Sequence, residues 1–156
     1  MTDGFTHLNE DGDARMVDVG AKNITSRVAI AAADLRVDEE VRSRLFSGDL
    51  PKGDALGVAR IAAIMAAKQA ASLIPLCHPI PIDGVDAVIH ETEDGARVEV
   101  TARTTAKTGI EMEAMTAASV GALTLYDMVK GLDRAAEIGP VRLLHKSGGK
   151  SGEWNR

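Results

Sequence analysis

Cysteine is nearly missing from this chain: Cys77 is the only one. No disulfide can close within the chain and no cysteine-based zinc site can be built, so a reducing compartment is the natural setting. Aromatic side chains are as scarce, two Phe, one Tyr and one Trp among 156 residues. The core therefore has to come from Val, Ile, Leu and the 24 alanines, which pack closely but bury little surface each. Such a core is thin, and association of subunits is expected to supplement it. No long apolar run exists either. The richest stretch, Ala55–Ala71, is broken by Gly57, Arg60, Lys68 and Gln69, which excludes a clean membrane span. The opening MTDGFTHLNEDGDAR has no basic region leading into an apolar one, and it is too acidic for a transit peptide. A cytoplasmic protein with no membrane partner is expected. A net charge of −5 leaves no global basic field for nucleic acid.

Charge is unevenly placed. Residues 1–18 carry five acids against Arg15, whereas Arg142, Lys146, Lys150 and Arg156 face only Glu153 near the other end. The basic end is where an anionic ligand could be held.

Along the chain, residues 1–22 lack periodicity and read as a flexible N-terminal arm. Residues 23–156 read as a single domain that closes with a flexible basic tail. TSRVAIAAADLRV (25–37) is strand-like. Asp38–Ser47 is a short helix opened by acids and stopped by Gly48. Asp54 caps a long helix to about Ile74 that is apolar around most of its circumference, as a helix buried on more than one face would be. PLCHPIP follows as a rigid extended linker. Val85–His90 and Arg97–Ala106 alternate apolar with polar around Glu93-Asp94-Gly95, a hairpin signal. A helix is expected over Glu113–Arg134 and a last strand over Ile138–Lys146. The order β-α-α-β-β-α-β is, apart from the short extra helix, the α+β, ferredoxin-like split βαββαβ arrangement: an antiparallel sheet with helices on one face.

Three stretches could carry chemistry. On the helix over 113–134, Glu113, Thr116, Thr124, Asp127, Lys130 and Arg134 share one arc of roughly 120°. That is either a solvated face with an i,i+3 Asp–Lys pair or an acid–base cluster. The entrance KTGIEME adds Lys107, Glu111 and Glu113, and charges crowded there can shift one another's pKa values towards neutrality. Cys77 and His78 sit between two prolines. A thiolate nucleophile, a metal ligand, a proton-transfer group and a plain buried thiol beside a structural histidine are all open there. Adjacent side chains of an extended segment point apart, so the two are poorly placed to act together. Finally, KSGGKSG (146–152) suggests a phosphate loop but has Leu144 where a Walker A motif needs glycine. Glycines and two lysines can still wrap an oligophosphate, and Lys52 of PKGD offers another cation before a helix N-terminus. A frayed tail of ordinary lysines is the competing reading.

Taken together, MVDVGAK (16–22), PKGD (51–54), IPLCHPI (74–80), KTGIEMEAMTAASVGALTLYDMVK (107–130) and IGPVRLLHKSGGKSG (138–152) resemble the molybdenum cofactor biosynthesis protein C family, the cyclic pyranopterin monophosphate synthases. The resemblance runs from about residue 5 to 152. It implies a lyase of molybdenum cofactor biosynthesis that rearranges a cyclised dihydroguanosine triphosphate to the cyclic pyranopterin monophosphate and releases pyrophosphate. It also implies a homohexamer, a trimer of dimers with active sites at subunit interfaces. Leu76, Cys77, His78, Met112 and Glu113 are implied to line the substrate site. Asp127 is the implied active-site residue, with Lys130 one turn on. Arg27, Lys52, Lys146 and Lys150 are implied to surround the phosphates. No cofactor and no protein-bound metal is implied, with Mg²⁺ an optional companion of the triphosphate. A non-catalytic sensor domain of the same fold is the alternative from another class, and pyrophosphate release separates the two.

Overall fold

The computed structural model describes residues 11–150 and 152–156. Its elements are β1 (Thr25–Arg36), α1 (Glu39–Ser47), α2 (Ala55–Ala67), α3 (Ala70–Leu73), β2 (Gly84–Thr92), β3 (Gly95–Ala106), α4 (Glu111–Val129), β4 (Glu137–Ser147) and β5 (Trp154–Asn155). The strands form one antiparallel sheet in the order β2-β3-β1-β4-β5. This is the expected α+β, ferredoxin-like arrangement, with one strand added at the edge.

Alternation along the central strands decides where the core lies. Ala29, Ala31, Ala33 and Leu35 of β1 are buried, as are Val98, Val100 and Ala102 of β3, and this face receives α4. Helix α2 packs on α4 and on β2. With so few large side chains, the helices have to come close. Gly121 of α4 marks the tightest point, because a Cβ there would sit 2.8 Å from Val98 Cγ1 and 3.3 Å from Ala63 Cβ. Any larger residue would push α2, α4 and β3 apart.

Four details differ from the sequence expectation. The helix over 54–74 is two helices. Gln69 N–H bonds Ala66 O three residues back, so Lys68-Gln69 tightens the chain and ends α2. The linker then opens with a turn, Cys77 N–H to Ile74 O at 3.0 Å, before extending. Helix α4 stops at Val129 and not at Arg134. Asp133 is the physical cause: its carboxylate accepts from Ala135 N–H at 2.8 Å and from Asp38 N–H at 3.0 Å, which competes with helix continuation. The fourth difference is β5, where Trp154 and Asn155 pair with Lys146 and His145. Of the arm expected over 1–22, residues 1–10 lie outside the described residues, as does Ser151 of the tail.

One irregularity matters for function. The β1–β4 register shifts between Ile30 and Ala31, so that Ala31 opposes Leu143 while Ile30 opposes His145. Leu144 is the extra residue of a β-bulge. Because side chains alternate strictly, one extra residue exchanges the two faces beyond it. Lys146 then opposes Ala29 and lies on the helix-covered face, beside the start of α4.

Candidate active site

The C-terminal end of α4 carries a three-membered ion cluster. Asp127 and Lys130 are one turn apart, with Lys130 Nζ 2.7 Å from Asp127 Oδ1. Lys52, in the turn before α2, donates to Asp127 Oδ2 at 3.0 Å and to the Asp127 carbonyl at 2.6 Å. All three side chains are about half exposed. Hydrogen bonds from Lys130 and then Lys52 hold the Asp127 carboxyl below the usual carboxylate range. Asp127 in turn raises the pKa of Lys130. Each group thus favours the charged form of the other, the opposite of a shift towards neutrality.

The N-terminal end of α4 is different in kind. Glu113 is only 3% exposed although it belongs to the helix's polar arc, and that overturns the reading of the arc as one solvated face. Cys77 Sγ lies 3.7 Å from Glu113 Oε1, while Glu113 Oε2 is buried without a hydrogen-bond partner. Burial pushes the Glu113 pKa up, opposed by its own backbone N–H and by Cys77. Burial, and then the charge of Glu113, push the Cys77 thiol up to about 11. Such a thiol is not a ready nucleophile. Of the roles open to Cys77, a half-buried hydrogen-bond donor is the one this geometry supports. Among the described residues no group of three or more His, Cys, Asp or Glu comes together that could hold a metal. Leu76 is half-buried in the turn next to Cys77, and Met112 is exposed on the first turn of α4.

Beside this end, the bulged strand brings Lys146 Nζ to 3.2 Å from Glu111 Oε1. Arg27 of β1 is fixed by two carbonyls, Ala106 at 3.1 Å and Lys107 at 3.3 Å. The loop after β4 folds over it. Gly148 and Gly149 have φ of 93° and 74°, the left-handed region that favours glycine. A Cβ on Gly148 would strike the Ser26 carbonyl, and one on Gly149 the Arg27 guanidinium. The outcome is a cleft of about 600 Å³ lined by Lys22, Asn23, Thr25, Arg27, Gly149 and Lys150. Three cations from three segments line one cleft, a concentration of positive charge of the kind an anion would favour.

The segment before β1 crosses the same region. The Val17 carbonyl lies 2.7 Å from His78 Nε2, and Lys107 Nζ donates to Gly20 O at 2.5 Å. Lys22 was not singled out from the sequence. The signal available was its place in MVDVGAK five residues before Arg27, and only the bend into β1 turns that spacing into a shared cleft.

The expected residues thus fall into two groups. Arg27, Leu76, Cys77, His78, Glu111, Met112, Glu113, Lys146 and Lys150 gather around the start of α4. Lys52, Asp127 and Lys130 sit at its other end, about 21 Å along the helix axis at 1.5 Å per residue.

Residues 16–149 match the model of the MoaC family. The chain is similar to the cyclic pyranopterin monophosphate synthase of Roseiflexus sp. (strain RS-1), 55% identical over 152 residues that cover 96% of each chain. It is 52% identical over 151 residues to that of Corynebacterium glutamicum (strain R), covering 97% of each. To that of Nocardioides sp. (strain ATCC BAA-499 / JS614) it is 52% identical over 155 residues, 97% of this chain and 95% of the relative.

Proposed function

The chain belongs to the MoaC family, and on that premise we propose that it forms cyclic pyranopterin monophosphate from a cyclised dihydroguanosine triphosphate, with release of pyrophosphate. It acts as a lyase of molybdenum cofactor biosynthesis. The observation that carries the reading is the cationic cleft of Lys22, Arg27 and Lys150, with Lys146 adjoining it. It is suited to a triphosphate and lies against the acid-rich start of α4.

The cleft takes the triphosphate. In the phosphate-closing step a substrate hydroxyl gives its proton to water as its oxygen bonds the α-phosphorus, the bond to the bridging oxygen breaks, and pyrophosphate leaves as an anion that the cleft's cations stabilise. The heterocycle needs several proton transfers. Lys130 supplies one as an ammonium oriented by anionic Asp127, and Lys52 holds that carboxylate from its other side. Glu113, whose pKa burial raises, is the buried acid at the start of α4. Mg²⁺, where it accompanied the triphosphate, would neutralise phosphate charge beside the cleft's cations.

A substrate of this size cannot bridge the two ends of one α4. The working site therefore combines the start of α4 in one subunit with the Lys52–Asp127–Lys130 cluster of another, in a homohexamer built as a trimer of dimers. The outer face of α2 supports association: Val58, Ile61 and Met65 are 49%, 58% and 61% exposed, an apolar stripe at helical spacing. Cytoplasmic residence fits the single thiol, and no helix of the described residues is long and apolar enough to cross a membrane.

Incubation of the purified protein with the cyclised triphosphate tests the reading. Stoichiometric pyrophosphate is the expected product. Binding without pyrophosphate release would make this a sensor of the same fold.

A further inference from the structure

We propose that the main-chain carbonyl of Val17 is a positioning group that holds His78 as its Nε2–H tautomer, so that Nδ1 is the nitrogen this imidazole offers to the substrate. His78 Nε2 and Val17 O are 2.7 Å apart. A carbonyl oxygen can only accept, so Nε2 carries the hydrogen. In the neutral ring Nδ1 is then the bare nitrogen, and the bond made by one ring nitrogen decides the chemistry open to the other.

The carbonyl is itself held in place. Gly20 O accepts from Lys107 Nζ, and Lys22 N–H bonds Val19 O at 3.0 Å, so the segment is pinned three residues beyond Val17 and closed by a turn. On the other side, Pro79 restricts the backbone of His78 to extended conformations. His78 and Lys107 share a cavity of about 280 Å³ with Val19, Ile24, Pro79 and Pro81. Its walls are otherwise largely apolar, so the orientation of each polar group in it carries weight. The segment over 17–22 thus does two things: through Val19 it contributes to the cavity wall, and through Val17 O it occupies Nε2 and leaves Nδ1 free of that bond.

The words "to the substrate" rest on the proposed function, but the tautomer does not. The first measurement is therefore made on the free, full-length protein. Long-range proton–nitrogen correlation of histidine-¹⁵N-labelled protein distinguishes a protonated ring nitrogen from a bare one, and the spectrum of His78→Gln identifies its signal among the four histidines. A protonated Nε2 with a bare Nδ1 is expected. A bare Nε2, or two averaged nitrogens, would overturn the proposal whether or not the protein turns over. The second measurement replaces Asp18 by its α-hydroxy acid, which makes the Val17 carbonyl an ester and a weaker acceptor. The two nitrogen shifts should converge, and kcat should fall roughly 2- to 10-fold, the worth of one net hydrogen bond, with KM unchanged. Unmoved shifts, or an unchanged kcat in an active enzyme, would remove Val17 from any positioning role. A wild-type protein that releases no pyrophosphate would instead refute the proposed function and leave the nitrogen shifts to decide the tautomer.

Discussion

Glu113 and Asp127 belong to the same helix, yet fourteen residues separate them, about 21 Å along its axis. Each is surrounded differently. Asp127 lies between two lysines at the surface, while Glu113 is buried against a thiol. The proposed site draws on both ends, the start of α4 from one subunit and the Lys52–Asp127–Lys130 cluster from another.

A site divided in this way makes subunits complement one another. Lys130→Ala and Glu113→Ala should each be inactive alone. Co-expressed and purified as mixed oligomers, they should regain roughly a quarter of wild-type activity, since random pairing gives half hybrid dimers with one intact site in two. Mixed oligomers with no activity would place the whole site within one subunit.

At the surface cluster, Lys130→Ala should lower kcat by about 10²- to 10⁴-fold, the range for loss of a proton-transfer group. The circular dichroism spectrum should not change, because Lys130 is half-exposed at the end of α4 and not part of the core. Asp127→Asn should be similarly severe, as it keeps the shape but removes the charge that orients both lysines. Steady-state pyrophosphate release measures both.

For Glu113 the sign of the pH effect follows from its raised pKa. The folded state holds the proton more tightly than the unfolded one. Its contribution to stability is therefore full below the unfolded-state pKa near 4.5 and is lost as pH rises through the folded value. Glu113→Gln should remove that loss and raise the neutral-pH Tm, by about 2–4 °C for each kcal/mol recovered in a chain of this size. Calorimetry between pH 4 and pH 8 checks it, and a lower Tm for Glu113→Gln across the whole range would contradict the neutral, buried state.

A triphosphate held in the proposed cleft would be bound through charge. Lys150→Ala and Lys22→Ala should raise KM about tenfold or more, with less effect on kcat and a larger effect at low ionic strength. Lys146→Ala should do at least as much, because it also leaves Glu111 without its partner. Deleting residues 146–156 without loss of affinity would remove the tail from the site.

Assembly is tested on α2. Met65→Glu or Ile61→Glu places a charge on the exposed stripe and should yield smaller, folded species by light scattering. Ala63→Glu should instead prevent folding, because Ala63 is fully buried within the subunit beneath Gly121. Unchanged mass for both stripe variants would place the subunit contacts elsewhere.

What the sequence determined by itself is what depends on neighbours a few residues away. Asp38 and Asp54 cap α1 and α2 as their side chains dictate, Gly48 stops α1 in a left-handed conformation, and alternation over 95–106 makes β3. Those local rules were enough for the α+β, ferredoxin-like order, and the quoted motifs were enough for the family. Tertiary structure alone decided the rest, because each remaining feature depends on groups distant in the chain. Asp133 ends α4 early by binding a backbone amide 95 residues away. The Leu144 bulge, set by pairing with β1, puts Lys146 on the helix-covered face. Lys22, Arg27 and Lys150 converge only once the loop after β4 folds over β1. Two acids of one polar arc acquire opposite pKa shifts because burial and nearby charge, and not spacing along a helix, set the energy of a carboxylate.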